Sequence, residues 1–227
     1  MSDLPAPSGD ADTVALPADE PAAAVAEIVA AAGTRKRPRP GERRVQILQT
    51  LAAMLEQPGA ERITTAALAA RLEVSEAALY RHFASKAQMF EGLIEFIESS
   101  VFTLVNQITE RDPGGTLQAQ KICTMLLQFG EKNPGMVRVM VGDALVFEHE
   151  RLILRMNQFF DRVESQLRQC LRGAADANGS LTPTVDANGL ASGLTAFLIG
   201  RLQRYARSGF KRSPTEHLDL LLPRLTA

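Results

Sequence analysis

Residues 63–86 read ITTAALAARLEVSEAALYRHFASK, a sequence with the pattern of short, closely spaced helices. One of the threonines Thr64 and Thr65 can cap a short helix, because a hydroxyl oxygen accepts a backbone N–H that the first helical turn leaves unpaired. Ser75 can cap a second short helix directly afterwards, and Ser85 a third. The side chains predicted to face inward are apolar: Leu68, Leu72, Ala78, Leu79 and Phe83.

Helical spacing continues on both sides of this stretch. Upstream, apolar residues recur at intervals of three and four and predict a helix that stops at Pro58-Gly59, with Val45, Leu48, Ala52 and Leu55 on its apolar face. Downstream, the helix after Ser85 is predicted to bury Met89, Phe90, Leu93, Ile94, Phe96, Ile97 and Val101. Short helices joined by tight turns outline a helix-turn-helix domain, whose second helix lies in the major groove of DNA.

The rest of the chain is also predicted to be helical. The predicted helices cover 117–131, 136–141, 144–172, 186–208 and 214–225, with a Gly-, Asn- and Pro-containing loop over 174–184. No segment of useful length alternates with the period of two that a strand would show. We therefore predict an all-α protein, with an N-terminal three-helix helix-turn-helix domain on a C-terminal helical bundle that dimerises.

The composition changes near residue 40. Residues 1–32 hold six acidic side chains and no Lys or Arg, whereas residues 33–90 hold ten basic and five acidic side chains. The first segment has too few large apolar residues to offset the entropy cost of ordering. We expect a disordered acidic extension and basic arm over 1–40, a DNA-binding helix-turn-helix domain over 41–86, and a helical dimerisation and partner-binding domain over 87–227.

Several function classes are not supported by the composition. The apolar-rich run over 21–33 is too short to cross a bilayer and lacks the basic start of a signal peptide, so we expect a cytoplasmic protein. Cys123 and Cys170 form no CxxC pair and are expected to be free buried thiols. Glu148-His149-Glu150 is expected to be a surface charge cluster, because adjacent helical residues point in different directions. We expect no metal and no cofactor.

The outward positions of the helix-turn-helix suit contacts with DNA. At the start of the second helix, Ala77 can touch a thymine methyl group and Glu76 can accept from a cytosine amino group. Lys86 follows a helix N-terminus, where free N–H groups also attract phosphate. The full set of candidate DNA contacts is Thr64, Thr65, Ser75, Glu76, Ala77, Tyr80, Arg81, His82 and Lys86.

The motif as a whole resembles the DNA-binding domain of TetR-type regulators. The resemblance is carried by Ile63 to Ala70, Val74 to Phe83, and the pair Ser85-Lys86. Two positions depart from the family pattern: Glu73 stands where Gly is usual in the turn, and Ala84 where Pro is frequent. If Glu73 adopts a left-handed backbone conformation, it costs about 1 kcal/mol relative to Gly.

Three downstream stretches (91–98, 129–135 and 159–172) resemble the SlmA-type nucleoid occlusion factors within that family. The resemblance implies a nucleoid-associated homodimer that binds palindromic chromosomal sites and, when bound to DNA, antagonises assembly of the division protein FtsZ. It also implies that Phe96, Lys132 and Asn133 belong to the FtsZ-binding surface. Met125 and Gln128 share the helix face of Lys132 but differ from the family residues, which leaves their role open.

Two other function classes compete with this interpretation. Most TetR-type proteins are transcriptional repressors released by a small molecule, and such a pocket usually has aromatic walls and convergent polar groups. Aromatic residues make up only 5% of this chain, which has no Trp. For an enzyme, the sequence shows no nucleophile–base pair, phosphate loop or metal-ligand spacing.

Overall fold

A computed structural model describes residues 41–57, 63–112, 115–177 and 182–226 of the chain. These ranges contain nine α-helices and no strand, so the all-α prediction is confirmed for them. The helices are α1 (Glu42–Leu55), α2 (Thr65–Arg71), α3 (Glu76–Tyr80), α4 (Lys86–Arg111), α5 (Thr116–Lys132), α6 (Pro134–Met140), α7 (Glu150–Ala177), α8 (Pro183–Arg207) and α9 (Leu218–Leu225). The predicted disorder over 1–40 and the predicted stop at Pro58-Gly59 lie outside the described residues.

Three hydroxyl caps build the helix-turn-helix as predicted. The Thr64 Oγ1 accepts from the backbone N–H of Ala67 at 3.1 Å, which identifies Thr64 as the cap of α2. Ser75 caps α3 by accepting from Ala78 N at 3.3 Å. Ser85 caps α4 by accepting from the backbone N–H of Gln88 at 3.2 Å. Each cap satisfies one of the donors that a helix start leaves unpaired.

The turn between α2 and α3 contains a residue in a costly conformation. Glu73 has a φ of 54°, in the left-handed region where a side chain is disfavoured. Its backbone N–H donates to Ala70 O at 3.1 Å, and the next N–H, of Val74, donates to Ala69 O at 3.0 Å. These bonds close the end of α2 and hold Glu73 in the conformation that the turn requires.

Glu73→Gly is therefore expected to stabilise the protein. Glycine adopts this φ at no steric cost, so the free energy of unfolding should rise by about 1 kcal/mol, or roughly 2–4 °C in Tm. Thermal unfolding followed by circular dichroism measures the change. Glu73→Ala removes the same charge but keeps a Cβ, so it should leave Tm nearly unchanged. An equal gain in both variants would mean that the carboxylate, and not the backbone, is responsible.

The buried face of α1 differs from the predicted one. Val45 was expected to face inward, but its side chain is 47% exposed. The helix buries Ile47, Leu51 and the predicted Leu55, at spacings of four residues, while the predicted Leu48 and Ala52 pack partly buried at the edge of the core. Val45 lies two residues before Ile47, about 200° around the helix from it, so both cannot share one face. The segment holds more apolar residues than one helix face can carry, so their spacing alone does not identify which of them are buried.

Helix boundaries in the bundle also needed correction. A single-turn 3-10 helix, Asp143–Leu145, follows Gly142, so α7 begins at Glu150 and not at the predicted residue 144. The same helix runs on to Ala177, through part of the predicted loop. Helix α8 starts at Pro183, a favoured first position because proline has no N–H to leave unpaired. The last helix begins at Leu218 instead of residue 214.

One hydrophobic core runs from the helix-turn-helix into the bundle. Gly135 lies where α1 meets α6, and a Cβ at this position would be 2.1 Å from the backbone oxygen of Ala52. The Gly135 backbone also hydrogen-bonds to the Glu56 carboxylate; burial raises the pKa of this carboxyl, and the bond partly offsets the rise. A side chain at residue 135 therefore cannot be added without moving α1.

The two cysteines are free and buried, as predicted. Burial, and then the proximity of Cys170, raises the pKa of Cys123 to about 12. The Cys170 Sγ donates to Gln118 Oε1 at 2.9 Å, and burial raises the pKa of this thiol as well. Both side chains pack as small apolar groups between α5 and α7.

Candidate nucleic-acid interface

The predicted DNA contacts on α2, α3 and the turn that follows share one surface. We call this set the DNA face: Thr64, Thr65, Ser75, Glu76, Ala77, Tyr80, Arg81 and His82. All of these residues are exposed except Thr65, which is half-buried. Leu79 and Phe83 point the other way and are each 1% exposed, so they fix α3 against α1 and α4. A short helix with one buried and one polar side is suited to lie in the major groove.

A small hydrogen-bond network holds side chains of the DNA face in place in the absence of DNA. The Thr65 hydroxyl donates to Glu76 Oε2 at 2.6 Å, and the Tyr80 hydroxyl donates to Thr65 Oγ1 at 3.5 Å. The bond to Thr65 occupies one carboxylate oxygen of Glu76. The other oxygen remains the candidate acceptor for a base amino group.

Arg44 supports this face, a role that sequence reasoning missed. Its Nη1 donates to the backbone oxygen of His82 at 3.0 Å, and its guanidinium lies 4.2 Å from the centre of the Phe83 ring. It thereby ties the first turn of α1 to the end of α3, 38 residues later in the chain. No local pattern marks such a contact, since Arg43 and Arg44 are adjacent cations and only the fold distinguishes them.

Lys86 is the candidate DNA contact whose surroundings differ most from expectation. Its Nζ forms an ion pair with the Glu148 carboxylate, which lies in the segment before α7. The Lys86 side chain is 27% exposed and that of Glu148 only 10%. In this arrangement the ammonium is shared with a protein carboxylate, so a phosphate would have to compete for it.

Glu148→Gln is expected to strengthen DNA binding at low salt. Without the carboxylate, Lys86 is free to pair with a phosphate, and affinity should rise severalfold while the slope of log K against log salt steepens by about 0.9. Fluorescence anisotropy with a labelled duplex, titrated at several salt concentrations, measures both. Glu150→Gln, an exposed neighbour with the same charge change, should produce less than half of the gain. A loss of affinity in Glu148→Gln would show that the pair positions Lys86 and does not sequester it.

The predicted partner residues lie on α4 and at the end of α5. Phe96 is half-buried and packs against the core, as Met125 does, whereas Lys132 and Gln128 are exposed. The Asn133 side-chain amide donates to Phe129 O at 2.7 Å and so caps the end of α5. Asn133 thus has a structural role whether or not it touches a partner.

The described residues give no support for a metal centre. No group of three or more His, Cys, Asp or Glu residues within them is arranged to hold an ion. In the Glu148-His149-Glu150 charge cluster, Glu148 pairs with Lys86, and His149 Nδ1 accepts from Arg151 N at 3.3 Å. Across the same ranges, no helix combines the length and apolar character that crossing a membrane requires.

Two family profiles match the chain. Residues 47–93 match the profile described as bacterial regulatory proteins of the tetR family. Residues 115–226 match the profile of the SlmA-like C-terminal domain, described as a tetracyclin repressor-like C-terminal domain. Between them, the two matches include the helix-turn-helix and helices α5 to α9.

Similar proteins agree with these profiles. The chain is 52% identical over 178 residues to the nucleoid occlusion factor SlmA of Photobacterium profundum, covering 78% of this chain and 90% of the relative. It is 50% identical over 186 residues to the SlmA of Salmonella paratyphi B, covering 82% and 93%. A solved structure of the fatty acid degradation regulator FadR from Bacillus halodurans superposes with a TM-score of 0.66 at 14% identity, covering 85% of this chain and 97% of that one. That structure supports the fold alone.

Proposed function

The chain belongs to the SlmA group of the TetR family of DNA-binding regulators, and from this premise we propose that it binds palindromic chromosomal sites as a dimer and inhibits FtsZ ring assembly over the nucleoid. The observation that carries the proposal is the identity of about half of all aligned residues over most of both chains. The family consists of DNA-binding proteins and not of enzymes. Binding to DNA occurs through the TetR-type helix-turn-helix.

For the DNA contacts, we propose that the DNA face together with Lys86 forms the interface. Ser75, Glu76 and Ala77 lie at the start of α3, where side chains approach base edges most closely. Thr64, Tyr80, Arg81 and His82 flank them and offer hydroxyl and cationic donors to phosphate oxygens. This assignment keeps the division into a DNA-binding domain over 41–86 and a dimerisation and partner-binding domain over 87–227.

For the dimer, we propose an isologous contact centred on α8. Its outward face carries Gly189, Gly193, Ala196 and Gly200, and in the part of the chain that the structure describes a Cβ on any of the three glycines meets nothing within 4 Å outside the backbone of α8. Small residues at such spacing let two helices approach closely, and a two-fold contact places the same face of each copy opposite its equal. Two DNA faces held at a fixed separation match a palindromic site.

For the partner, we propose that Phe96, Lys132 and Asn133 contribute to an FtsZ-binding surface along α4 and α5. The half-buried Phe96 ring offers an apolar anchor, and the exposed Lys132 ammonium offers a charge at its edge. Because the same molecule would hold DNA through α3, its inhibition of FtsZ would be confined to the chromosome. Nucleoid association follows from this proposal.

FtsZ sedimentation tests the proposal. Purified FtsZ is polymerised with GTP in the presence of the full-length chain, with either a palindromic duplex that the chain binds or a scrambled duplex of equal length. We expect less FtsZ in the pellet with the palindrome than with the scrambled duplex. Equal pellets, at concentrations where anisotropy shows the palindrome to be bound, would contradict the FtsZ part of the proposal and leave DNA binding intact.

A ligand-released repressor, the competing hypothesis, finds less support in the bundle. A cavity of about 320 Å³ between α4 and α7 is lined by Glu91, Arg151 and Arg155 among others. Arg151 pairs with Glu91 at 2.7 Å, and Arg155 with Glu98 at 2.6 Å, so the charges at this cavity serve to join the two helices. Apolar drug-sized ligands favour sites with apolar and aromatic walls.

A further inference from the structure

Five cations gather where the ends of α5 and α8 meet. We call this set the C-terminal basic patch: Lys132, Arg201, Arg204, Lys211 and Arg212. Lys132, Arg204, Lys211 and Arg212 are exposed, and Arg201 is half-buried. The patch was not singled out from the sequence, because its members come from two helices and a turn.

Hydrogen bonds hold these elements together. The Tyr205 hydroxyl donates to the backbone oxygen of Glu131 at 3.2 Å, so the last turns of α8 lie against the residue that precedes Lys132. The Glu131 carboxylate accepts from the hydroxyls of Ser213 and Thr215, the latter at 2.8 Å. The turn after α8, which carries Lys211 and Arg212, is thereby fixed beside the end of α5. The cations therefore lie on a fixed surface of the folded protein.

The positive charge of the patch is poorly compensated. Within the described ranges, Lys132, Arg204, Lys211 and Arg212 form no ion pair within 4.0 Å. The nearby carboxylates are Glu131, already held by two hydroxyls, Glu56, which bonds to the Gly135 backbone, and Glu216, whose charge acts on Arg201 and whose backbone oxygen accepts from Arg201 at 2.7 Å. Burial, and then the charge of Arg204, lowers the pKa of Arg201, and the charge of Glu216 partly offsets the fall. Like charges are therefore held close together, at an electrostatic cost that an anionic ligand would relieve.

A buried cation lies beneath this turn. Arg138 is 8% exposed, its Nε has no hydrogen-bond partner among the described residues, and its guanidinium lies 5.2 Å from the ring centre of Phe210. Phe210 in turn packs on Tyr205 with ring centres 5.1 Å apart. The buried guanidinium thus adds to the positive potential under the patch, where water screens it little.

The position of the patch favours an acidic protein segment over DNA. Helix α1 contacts the DNA face through Arg44 in its first turn and approaches the patch at its other end, since Glu56 is among the charges that raise the pKa of Tyr205. A helix of 14 residues is about 20 Å long, so about that length of helix separates Arg44 beside the DNA face from the end of α1 nearest the patch. Lys132 belongs both to the patch and to the proposed FtsZ-binding surface, so the two are continuous.

We infer that the C-terminal basic patch binds a carboxylate-rich peptide segment of the division partner, as a second contact beside the apolar anchor at Phe96. The inference rests on the proposed function and extends its interface from α5 onto the end of α8. Clusters of arginine recognise acidic motifs through charge-assisted hydrogen bonds, which guanidinium forms in pairs with carboxylate. Unpaired cations at the rim of an interface also accelerate association.

Two charge-reversal variants of the full chain test the inference. The patch variant carries Arg204→Glu, Lys211→Glu and Arg212→Glu; the control variant carries Arg111→Glu, Arg172→Glu and Arg224→Glu, three exposed arginines outside the patch. Both change the net charge equally, and circular dichroism and light scattering verify their fold and assembly. A fluorescein-labelled peptide of twelve residues, rich in Glu and Asp, is titrated by anisotropy at low salt. We expect at least tenfold weaker binding in the patch variant and less than threefold in the control.

Equal losses in the two variants, or none in either, would overturn the inference, because net charge alone would then account for binding. A patch variant that keeps the peptide but loses a non-palindromic duplex would overturn the choice of an acidic peptide in favour of nucleic acid. The FtsZ sedimentation assay separates the two proposals. If the parent protein lowers the FtsZ pellet and both variants do so equally, the inference fails while the proposed function stands. If the parent has no effect, the FtsZ part of the proposed function fails, and with it the identity of the partner.

Discussion

Ala77→Glu is expected to abolish specific DNA binding and to leave the fold intact. Ala77 is exposed in the second position of α3, so a longer side chain meets solvent and not core in the free protein. On DNA, the new carboxylate would face base edges and phosphates at the point of closest approach. Like charges placed together in an interface cost several kcal/mol, which predicts at least a hundredfold loss of affinity.

Anisotropy with a labelled palindromic duplex measures this loss at fixed salt. Ala53→Glu is the matched control: it adds the same charge at an exposed alanine near the end of α1 that lies away from the DNA face. We expect the control to weaken binding less than threefold, through net charge alone. Similar affinities for the two variants would mean that α3 is not the helix that enters the groove.

Gly135→Ala should produce the largest loss of stability among single substitutions considered. The added Cβ would lie 2.1 Å from the backbone oxygen of Ala52, which cannot rotate away as the end of a side chain could. Helix α1 must then move away from α6, and the hydrogen bond between the Gly135 backbone and the Glu56 carboxylate is strained. Overpacking of this kind costs about 1–3 kcal/mol, and the lost contacts of α1 should bring the total to its upper end.

Thermal and urea unfolding measure the change, with an expected fall in Tm of roughly 5–10 °C. Gly173→Ala is the control, because a Cβ at this helical glycine would meet no described residue within 4 Å apart from the backbone of its own helix. There the substitution should raise stability by about 0.5–1 kcal/mol, since alanine favours the helix. If Tm rose in both variants, helix propensity and not the α1–α6 contact would control the result.

Local chemistry explains which parts of the fold could be predicted. Thr64, Ser75 and Ser85 cap helices because their hydroxyls lie within a few bonds of the N–H groups that need acceptors, and such signals are legible in sequence. The left-handed conformation of Glu73 could be anticipated from the turn it occupies. Segment 142–149 could not, because the 3-10 turn after Gly142 depends on burying Leu145 in the core that the assembled helices form.

In the candidate site, too, local features could be predicted from the sequence, whereas contacts between distant residues could not. The exposed side of α3 follows from helical periodicity once Leu79 is placed inside. The bond from Arg44 to His82 O and the pairing of Lys86 with Glu148 join residues 38 and 62 positions apart, and no local pattern predicts them. The C-terminal basic patch has the same origin, since only the packing of α8 against α5 brings its cations together.

Labelling of the two buried cysteines can report on opening of the native structure. Cys123 is fully buried and its pKa is about 12, so a thiol reagent can reach it as a thiolate only after the bundle separates around α5. Cys170 is 6% exposed, seven positions from the last residue of α7, where fraying needs less free energy. The faster of two labelling rates would thus follow local release of the α7 end, and the slower would follow cooperative unfolding. Alkylation kinetics can therefore rank the two levels of native-state opening in the unmodified chain, without a dye, a tag or a bound ligand.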